Sequence, residues 1–205
     1  MTELELVALA KQGNQDAFAQ LVEANQNKIY SLALRMTGNP EDGADLAQEA
    51  FLKAWRSLST FQEESSFSTW LYKLTSNLCS DFLRKEKRRK TAVTTVSLDD
   101  DEDDTPPMEV PDHRFTPETE VERRELRSAM SRALQSMSDE HRQILILREV
   151  EGLSYTEIAE LLGLEEGTVK SRIARARISL RNILQKDGNF SPPVSSNHTE
   201  TKGKE

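Results

Sequence analysis

An acidic, proline-bearing segment divides this 205-residue chain into two parts. Residues 99–125 contain 12 acidic and 3 basic residues, whereas the rest of the chain carries 23 acidic and 24 basic ones. Four prolines and a run of six consecutive acids lie within residues 91–117. Because like charges repel and proline interrupts helices, residues 91–117 are predicted to form a flexible linker. The predicted organisation is a domain at 1–90, the linker, a domain at 118–187 and a disordered tail at 188–205.

Both parts show the periodicity of helices. Apolar residues recur at spacings of three or four in five segments, at 16–36, 45–55, 67–83, 118–136 and 140–149. Gly, Asn and Pro at 38–43 predict a turn between the first two segments. No strand-like alternation of useful length occurs in the sequence. The predicted fold class is therefore all-α, with two small helical domains joined by an acidic linker.

Composition argues against several classes of protein. The longest uninterrupted apolar run has five residues, so no membrane insertion is expected, and the N-terminus lacks the pattern of a secretion signal. The single cysteine, Cys79, cannot form an internal disulfide, and three scattered histidines make no metal site. No phosphate-binding glycine loop or Cys-His pair is present. We therefore expect a cytoplasmic protein that is not an enzyme and has no cofactor, metal or catalytic residue.

The second domain carries a helix-turn-helix pattern. Ser154 and Glu157 form a capping box at the start of a helix predicted over 155–162, and Gly163 suits the left-handed turn that ends it. A second helix is predicted over about 166–181. Helical phase places four of its residues on the face that packs on the first helix: Val169, Ile173, Ala176 and Leu180.

The other side of that second helix is basic. Residues 167–184 contain five basic residues and no acidic one. A helix that is buried on one side and basic on the other suits the DNA major groove, where Arg and Lys contact guanine edges or phosphates. The alternative is a basic, solvated helix in an ordinary bundle.

Two features of the first domain favour single-stranded DNA. Residues 61–70, FQEESSFSTW, combine polar loop residues with three aromatics, and residues 84–90, RKEKRRK, place six basic residues in seven positions. Bases stack on aromatic rings while Lys and Arg follow the phosphates. The alternative is that Phe61, Phe67 and Trp70 are core residues and that the basic run is a solvated helix end.

A third feature lies in the segment 45–55. Asp45, Gln48, Glu49 and Leu52 recur at spacings of three or four on a face distinct from the apolar one. This face is either a solvated surface or a docking face for a partner protein, with Leu52 as its exposed apolar element.

In this order, the segments resemble the extracytoplasmic-function (ECF) subfamily of bacterial sigma factors, the initiation subunits of RNA polymerase. The resemblance covers about residues 16–90 (region 2) and 121–185 (region 4). DLAQEAFLKAW at 45–55 is similar to the polymerase-binding helix of the family, and FSTWLY at 67–72 is similar to its promoter-melting segment. SYTEIA at 154–159 and GTVKSR at 167–172 are similar to its reader of the upstream promoter element.

The resemblance implies partners and residue roles. The clamp helices of the largest subunit of core RNA polymerase would be bound by Asp45, Gln48, Glu49 and Leu52. The melted downstream (−10) element would be bound by Phe61, Ser65, Ser66, Phe67, Trp70, Lys73, Asn77, Arg84, Lys85, Arg88 and Arg89. The duplex upstream (−35) element would be bound by Thr168, Lys170, Ser171, Arg172, Arg175 and Arg177. An anti-sigma factor that covers both domains is a further partner implied by the family.

Two features of the sequence depart from what the family's DNA contacts favour, and two other functions compete with this interpretation. A neutral residue would suit DNA better than Asp81, and residues 62–64 are more acidic than a melted strand favours. One rival is a stand-alone helix-turn-helix repressor or activator, which would normally dimerise on two half-sites. The other is an adaptor that binds polymerase without reading DNA.

The implied promoter geometry constrains the linker. Two elements about one and a half helical turns apart are separated by roughly 50–60 Å. A flexible coil of the linker's length averages only about 30 Å between its ends, although its extended limit is about 90 Å. We therefore expect the linker to be held stretched when both elements are bound.

Overall fold

The computed structural model describes residues 1–93 and 117–186. All regular secondary structure in those two ranges is helical, which confirms the predicted fold class. The acidic run at 99–104 and the predicted tail at 188–205 lie outside the described residues. The domain limits drawn from the sequence stay a prediction.

Each described part contains four helices. The first part comprises α1 (Glu3–Lys11), α2 (Gln15–Thr37), α3 (Pro40–Ser57) and α4 (Phe67–Val93), with a 3₁₀ turn at Leu58–Thr60. The second part comprises α5 (Pro117–Gln135), α6 (Asp139–Leu145), α7 (Tyr155–Leu162) and α8 (Glu166–Lys186), with a π-helical turn at Ile146–Val150 that continues α6.

Capping residues explain where the helices of the first part begin. Thr2 and Glu5 form a reciprocal capping box that starts α1, a helix that the periodicity did not predict. Asn39 caps α3 by accepting hydrogen bonds from two backbone amides, and Pro40 occupies the first helical position. The predicted turn at 38–43 is therefore wrong beyond Asn39, because its later residues belong to α3.

Close approach of α2 and α3 organises the first core. The face of α3 towards α2 is built from small residues, and Ala47, Ala50 and Ala54 are all buried. Gly43 lies so near α2 that a Cβ atom there would be 3.1 Å from both the backbone nitrogen and the Cα of Leu34. These small residues let the two helices bury the apolar side of α2.

The helix-turn-helix of the second part forms as its sequence predicts. Ser154 and Glu157 make the capping box of α7, and Gly163 ends that helix at a φ of 65°. Val169, Ile173 and Ala176 are buried on the inner face of α8, and Leu180 packs at the edge of the same core. The predicted helical phase of α8 is confirmed.

The two parts share one continuous apolar core, and hydrogen bonds join them. Gln135, the last residue of α5, donates from Nε2 to the carbonyl oxygen of Arg35 at 3.0 Å. Arg142 of α6 donates to the carbonyl of Met36 in the same last turn of α2. Side chains of the second part thus satisfy carbonyl groups at a helix end of the first.

The contact at Gly43 makes a matched prediction about stability. Gly43→Ala is expected to lower the free energy of unfolding by about 1 kcal/mol, because overpacking costs about 1–3 kcal/mol and the gain in helix propensity offsets only part of it. Gly167→Ala in α8 is the control, since a Cβ there has nothing within 4 Å. It is expected to be neutral or slightly stabilising. Urea unfolding followed by circular dichroism measures both, and equal stability of the two variants would contradict the close packing.

Candidate nucleic-acid and polymerase interfaces

The outer face of α8 presents most of the predicted upstream-element residues to solvent. Lys170, Ser171, Arg175 and Arg177 are exposed, whereas Thr168 and Arg172 are partly buried. Because the buried face of α8 is fixed by packing on α7, the orientation of this polar face is fixed as well. The helix therefore offers a preformed basic surface of the width that a major groove accepts.

The basic side chains of α8 differ in whether a carboxylate pairs with them. Arg177 donates from both Nε and Nη2 to Oε1 of Glu149, at 3.0 and 2.6 Å, and Arg172 pairs with Glu140 at 3.3 Å. Lys170 pairs with Glu166. Arg175 instead hydrogen-bonds the hydroxyl and carbonyl of Ser171, and no carboxylate among the described residues pairs with it. Among the predicted DNA-binding cations of α8, Arg175 can therefore contact DNA without first breaking an ion pair.

The aromatic residues of the 61–70 segment pack on one another. Phe61 and Phe67 are 5% and 1% exposed, and the Phe61 ring stacks on Trp70 with centroids 4.9 Å apart. Two of these rings therefore pack in the core, which is the alternative that the sequence left open, and contact of Phe61 and Phe67 with DNA stays a prediction. Their packing fixes the shape of the loop, and Trp70 alone of the three keeps a partly exposed ring.

Polar contacts hold the same loop from both ends. The hydroxyl of Ser66 accepts a hydrogen bond from the backbone nitrogen of Thr69 at 3.0 Å and so caps α4. Lys11 forms an ion pair with Glu63, which has a left-handed φ of 61°. Ser66 therefore has a structural role that the sequence prediction missed, and Ser65 lies half-exposed beside it.

Six residues form a continuous stripe on α4, which we call the α4 stripe: Trp70, Lys73, Asn77, Asp81, Arg84 and Arg88. Their spacings of three, four and seven place them on one side of the helix, and all but Trp70 are exposed. Asp81 lies in the middle of the stripe and forms an ion pair with Arg84 at 3.1 Å. Beside the stripe, Lys85 is exposed, and Arg89 pairs with Glu86 at 3.0 Å.

A cleft of about 440 Å³ opens between the loop at 61–66, the start of α4 and helix α7. Ser65, Trp70 and Lys73 line it on the side of the first part. Glu157 and Glu160 of α7 line it on the other side. The predicted site for the melted strand therefore adjoins two carboxylates of the second part.

The predicted docking face on α3 borders an apolar groove. Asp45, Gln48 and Glu49 are exposed, and Leu52 is 50% exposed. Between α2 and α3 lies a groove of about 490 Å³, which Leu52 and Gln48 border together with Phe18, Val22, Phe51 and Trp55. Phe18 also borders this groove, a role that its place in the sequence did not indicate. Its ring packs on that of Trp55, with centroids 4.8 Å apart.

Nothing in the described parts of the chain suggests chemistry at a metal or thiol. Residues 1–93 and 117–186 contain no cluster of His, Cys, Asp and Glu with metal-binding geometry. No helix among them is long and apolar enough to cross a membrane. Cys79 is fully buried, and burial raises the pKa of its thiol to about 12. This cysteine is therefore a packing residue in the folded protein.

Comparison with protein families finds two matches in the order expected. Residues 21–89 match Sigma-70 region 2, and residues 127–180 match Sigma-70, region 4. The chain is 37% identical to the ECF RNA polymerase sigma factor SigW of Bacillus subtilis, over 85% of this chain and 92% of that protein. It is 36% identical to the ECF RNA polymerase sigma-E factor of Escherichia coli K12, over 90% of this chain and 95% of that protein.

Solved structures with the same fold include complexes of two proteins. The structure of CnrH in complex with the cytosolic domain of CnrY matches with a TM-score of 0.63 and 26% identity, over 90% of this chain and 98% of that chain. The sigma factor RpoE, in complex with the anti-sigma factor NepR from Bartonella quintana, matches with a TM-score of 0.64 and 24% identity. This match covers 83% of this chain and 98% of the RpoE chain, and it shows that the two chains share a fold.

The acidic residue within the α4 stripe leads to a prediction. Asp81→Asn is expected to raise affinity for a single-stranded oligonucleotide about two- to fivefold at low salt, because it removes a repulsive charge and frees Arg84 from its ion pair. Glu23→Gln on the exposed side of α2 is the control, since it makes the same change in net charge away from the stripe. Fluorescence anisotropy with a labelled oligonucleotide measures both, and an equal gain in the control would show that only net charge matters.

Proposed function

The chain belongs to the ECF subfamily of the sigma-70 family, and from that premise we propose how its two domains share the work of starting transcription. It binds core RNA polymerase and directs promoter-specific initiation, with region 2 at residues 21–89 and region 4 at residues 127–180. We place it in the cytoplasm with the polymerase and assign it no catalytic residue of its own. The polymerase supplies the chemistry of RNA synthesis.

The face on α3 is the proposed docking site for the polymerase. Leu52 stands half-exposed at the edge of the apolar groove, and Asp45, Gln48 and Glu49 surround it with polar and acidic groups. An apolar groove with a charged rim suits a helix of a partner, which places apolar side chains in the groove and basic ones at its rim. Under the family assignment, the clamp helices of the largest polymerase subunit are that partner.

The loop and the α4 stripe are the proposed site for the melted −10 element. Trp70 offers a partly exposed ring for a base, while Lys73 and Asn77 continue the surface along the helix. Farther along, Arg84, Lys85, Arg88 and Arg89 supply the positive charge that phosphates require. Phe61 and Phe67 support this site by holding the loop in shape, and Phe61 also lines the cleft.

Helix α8 is the proposed reader of the duplex −35 element. Arg175 and Ser171 lie at the centre of its exposed face, with Thr168 and Arg172 at the edges. An arginine that is free to form two parallel hydrogen bonds to guanine gives the commonest specific contact in the major groove. Lys170 and Arg177 suit phosphate contacts at the flanks, once their ion pairs are released.

The observation that carries the proposal is the α4 stripe, a basic surface beside a structured polar loop. A stand-alone repressor that reads duplex DNA has no use for such a surface, nor for the groove on α3. Region 4 alone would serve that rival function. An anti-sigma factor is a further partner we propose, because the similar structures of CnrH and RpoE are complexes with CnrY and with the anti-sigma factor NepR.

Replacement of Leu52 tests the docking face. Leu52→Arg is expected to weaken binding to core polymerase about tenfold or more, because it replaces an apolar contact at the edge of the groove with a positive charge that repels the basic residues expected at the rim. Leu126→Arg is the matched control, since Leu126 is 47% exposed and lies on α5. Binding is measured by fluorescence anisotropy of the labelled protein titrated with core polymerase. Equal losses in both variants would contradict a specific role for the α3 face.

Two arginines that lie two positions apart on α8, and therefore on different sides of it, test the duplex reader. Arg175→Ala is expected to weaken binding to the selected upstream duplex about 5- to 100-fold and to relax its sequence preference, as for a direct base contact. Arg177→Ala is expected to have a much smaller effect without a change in preference, because Arg177 is held by Glu149. The probe is a DNA duplex that core polymerase with this protein bound has selected from a random pool. A larger loss of affinity for Arg177→Ala than for Arg175→Ala would contradict the assignment of Arg175 as the residue that reads a base.

A further inference from the structure

We propose that helix α1 sets the base selectivity of the loop at 61–66, through an ion pair between Lys11 and Glu63 that fixes the backbone of the loop. Lys11 is a positioning residue, since it acts on DNA only through the loop. This inference rests on the proposed function of the loop and the α4 stripe. It gives a role to α1 and to one of the acidic residues that a site for melted DNA does not favour.

Glu63 has an unusual backbone conformation. Its φ of 61° is left-handed, and within residues 1–93 and 117–186 every other residue with a positive φ is a glycine. A residue with a Cβ atom loses free energy in this conformation, so the conformation persists only where surrounding contacts hold it. The shape of the loop therefore depends on the contacts made at position 63.

Lys11 supplies the contact at this position from the last turn of α1. Its ammonium group forms an ion pair with Oε1 of Glu63 and lies 5.5 Å from the centroid of the Phe61 ring. The pair is only partly exposed to water, which limits the screening of its charges. Helix α1 is a firm support for this contact, because Val7 and Ala10 are buried in the core of the first part.

A second contact from α1 holds the other end of the loop. Oε1 of Glu3 accepts a hydrogen bond from the backbone nitrogen of Phe67 at 3.0 Å. That amide belongs to the first turn of α4, where backbone N–H groups have no partner within the helix and a carboxylate is favoured. Glu3 and Lys11 are the first and last residues of α1. The two ends of α1 therefore fix the two ends of the loop.

The turn at Glu63 decides which side chains face the cleft beside α4. Gln62, Glu64 and Ser65 line this cleft, whereas the carboxylate of Glu63 is directed to Lys11. The amide, carboxylate and hydroxyl groups in the cleft can form hydrogen bonds with the edge of an unpaired base. If the backbone at position 63 relaxes, these groups move relative to the start of α4. The loop then loses its selectivity for a base.

Neutralisation of charge is the simpler role for Lys11, and it makes a different prediction. If Lys11 only offsets the charge of Glu63, loss of Lys11 lowers the affinity for every strand, and loss of Glu63 raises it. A positioning role predicts that both changes lower the selectivity between bases, whichever way the overall affinity moves. Selectivity therefore distinguishes the two roles.

The test uses the full chain bound to core RNA polymerase, with core polymerase alone as background. This complex first selects a strand from a labelled, randomised pool of single-stranded oligonucleotides. The selected strand and its single-base variants are then the probes. Fluorescence anisotropy measures their affinities, and the ratio of the affinities is the selectivity.

Four single variants separate position from charge. Lys11→Met and Glu63→Ala each remove the ion pair, and alanine tolerates the left-handed conformation no better than glutamate does. Lys11→Arg keeps the positive charge and the length needed to reach the loop. Lys28→Met is the matched control, because it makes the same change in net charge as Lys11→Met on the exposed side of α2.

Lys11→Met and Glu63→Ala are each expected to lower the selectivity at one position of the strand about fivefold, as when the fraction of loops in the competent conformation falls from about 0.9 to about 0.2. Strands with another base there are held by phosphate contacts and do not need that conformation. The double variant Lys11→Met/Glu63→Ala is expected to lose no more than either single variant, because all three lack the same contact. Lys11→Arg and Lys28→Met are expected to keep the selectivity of the wild type.

Two outcomes overturn the inference while the function on which it rests still holds. One is a folded Lys11→Met or Glu63→Ala protein that keeps the selectivity of the wild type at every position of the strand. The other is an equal loss of selectivity in Lys28→Met. Far-ultraviolet circular dichroism checks folding, and Glu63→Ala, at an exposed loop position, decides alone if Lys11→Met does not fold. If the wild-type complex selects no strand above the background, the proposed function of region 2 fails, and this inference fails with it.

Discussion

The buried guanidinium group of Arg142 ties helix ends of both halves of this protein together. Arg142 is 4% exposed and donates to the carbonyl groups of Leu134, Gln135 and Met137 at the end of α5, and to that of Met36 at the end of α2. A buried charge is tolerated only when it is well hydrogen-bonded, and the carboxyl-terminal ends of helices favour cations. Burial lowers the pKa of Arg142, while Asp139, 3.6 Å away, opposes that effect. The turn from α5 to α6 and the junction of the domains thus depend on the same side chain.

This junction makes the two nucleic-acid surfaces unequal in the free protein. Arg175 and Ser171 on α8 stay exposed to solvent when the domains are together. The start of α4 is exposed only in part, because Thr69 and Ser76 are buried whereas Lys73 and Asn77 are exposed. The groove between α2 and α3, the proposed docking site for the polymerase, is lined by residues of these two helices alone.

The sequence predicted the features that depend on neighbouring residues. The capping box at Ser154, the turn at Gly163 and the buried face of α8 all follow from local spacing, and each is present. Helix α1 was missed although its Thr2 and Glu5 carry the same capping signal, because its apolar residues form an uninterrupted run at 6–10 and do not show the spacing of three or four that indicates an amphipathic helix. The burial of Phe61 and Phe67 was left open by the sequence, since an aromatic residue in a polar loop suits a core and a binding surface equally well.

The contacts between the domains lay beyond prediction from local pattern. Arg142 and Met36 are 106 positions apart, and nothing in the polar run around Arg142 distinguishes it from a surface residue. The individual roles of the site residues likewise stay predictions, apart from the structural parts now seen for Ser66, Phe61 and Phe67. Arg177 pairs with Glu149, which lies 28 positions away in the sequence. Only the three-dimensional structure therefore shows that Arg177 is held by a carboxylate while Arg175 is not.

Run-off transcription with purified bacterial core RNA polymerase tests the central claim most directly. The template is a pool of genomic promoter fragments, transcribed with and without this protein. The account predicts transcripts from a defined subset of promoters only when the protein is present, and their loss with Arg172→Ala/Arg175→Ala. Binding to duplex DNA without any polymerase-dependent transcript would contradict the account and favour a stand-alone helix-turn-helix regulator.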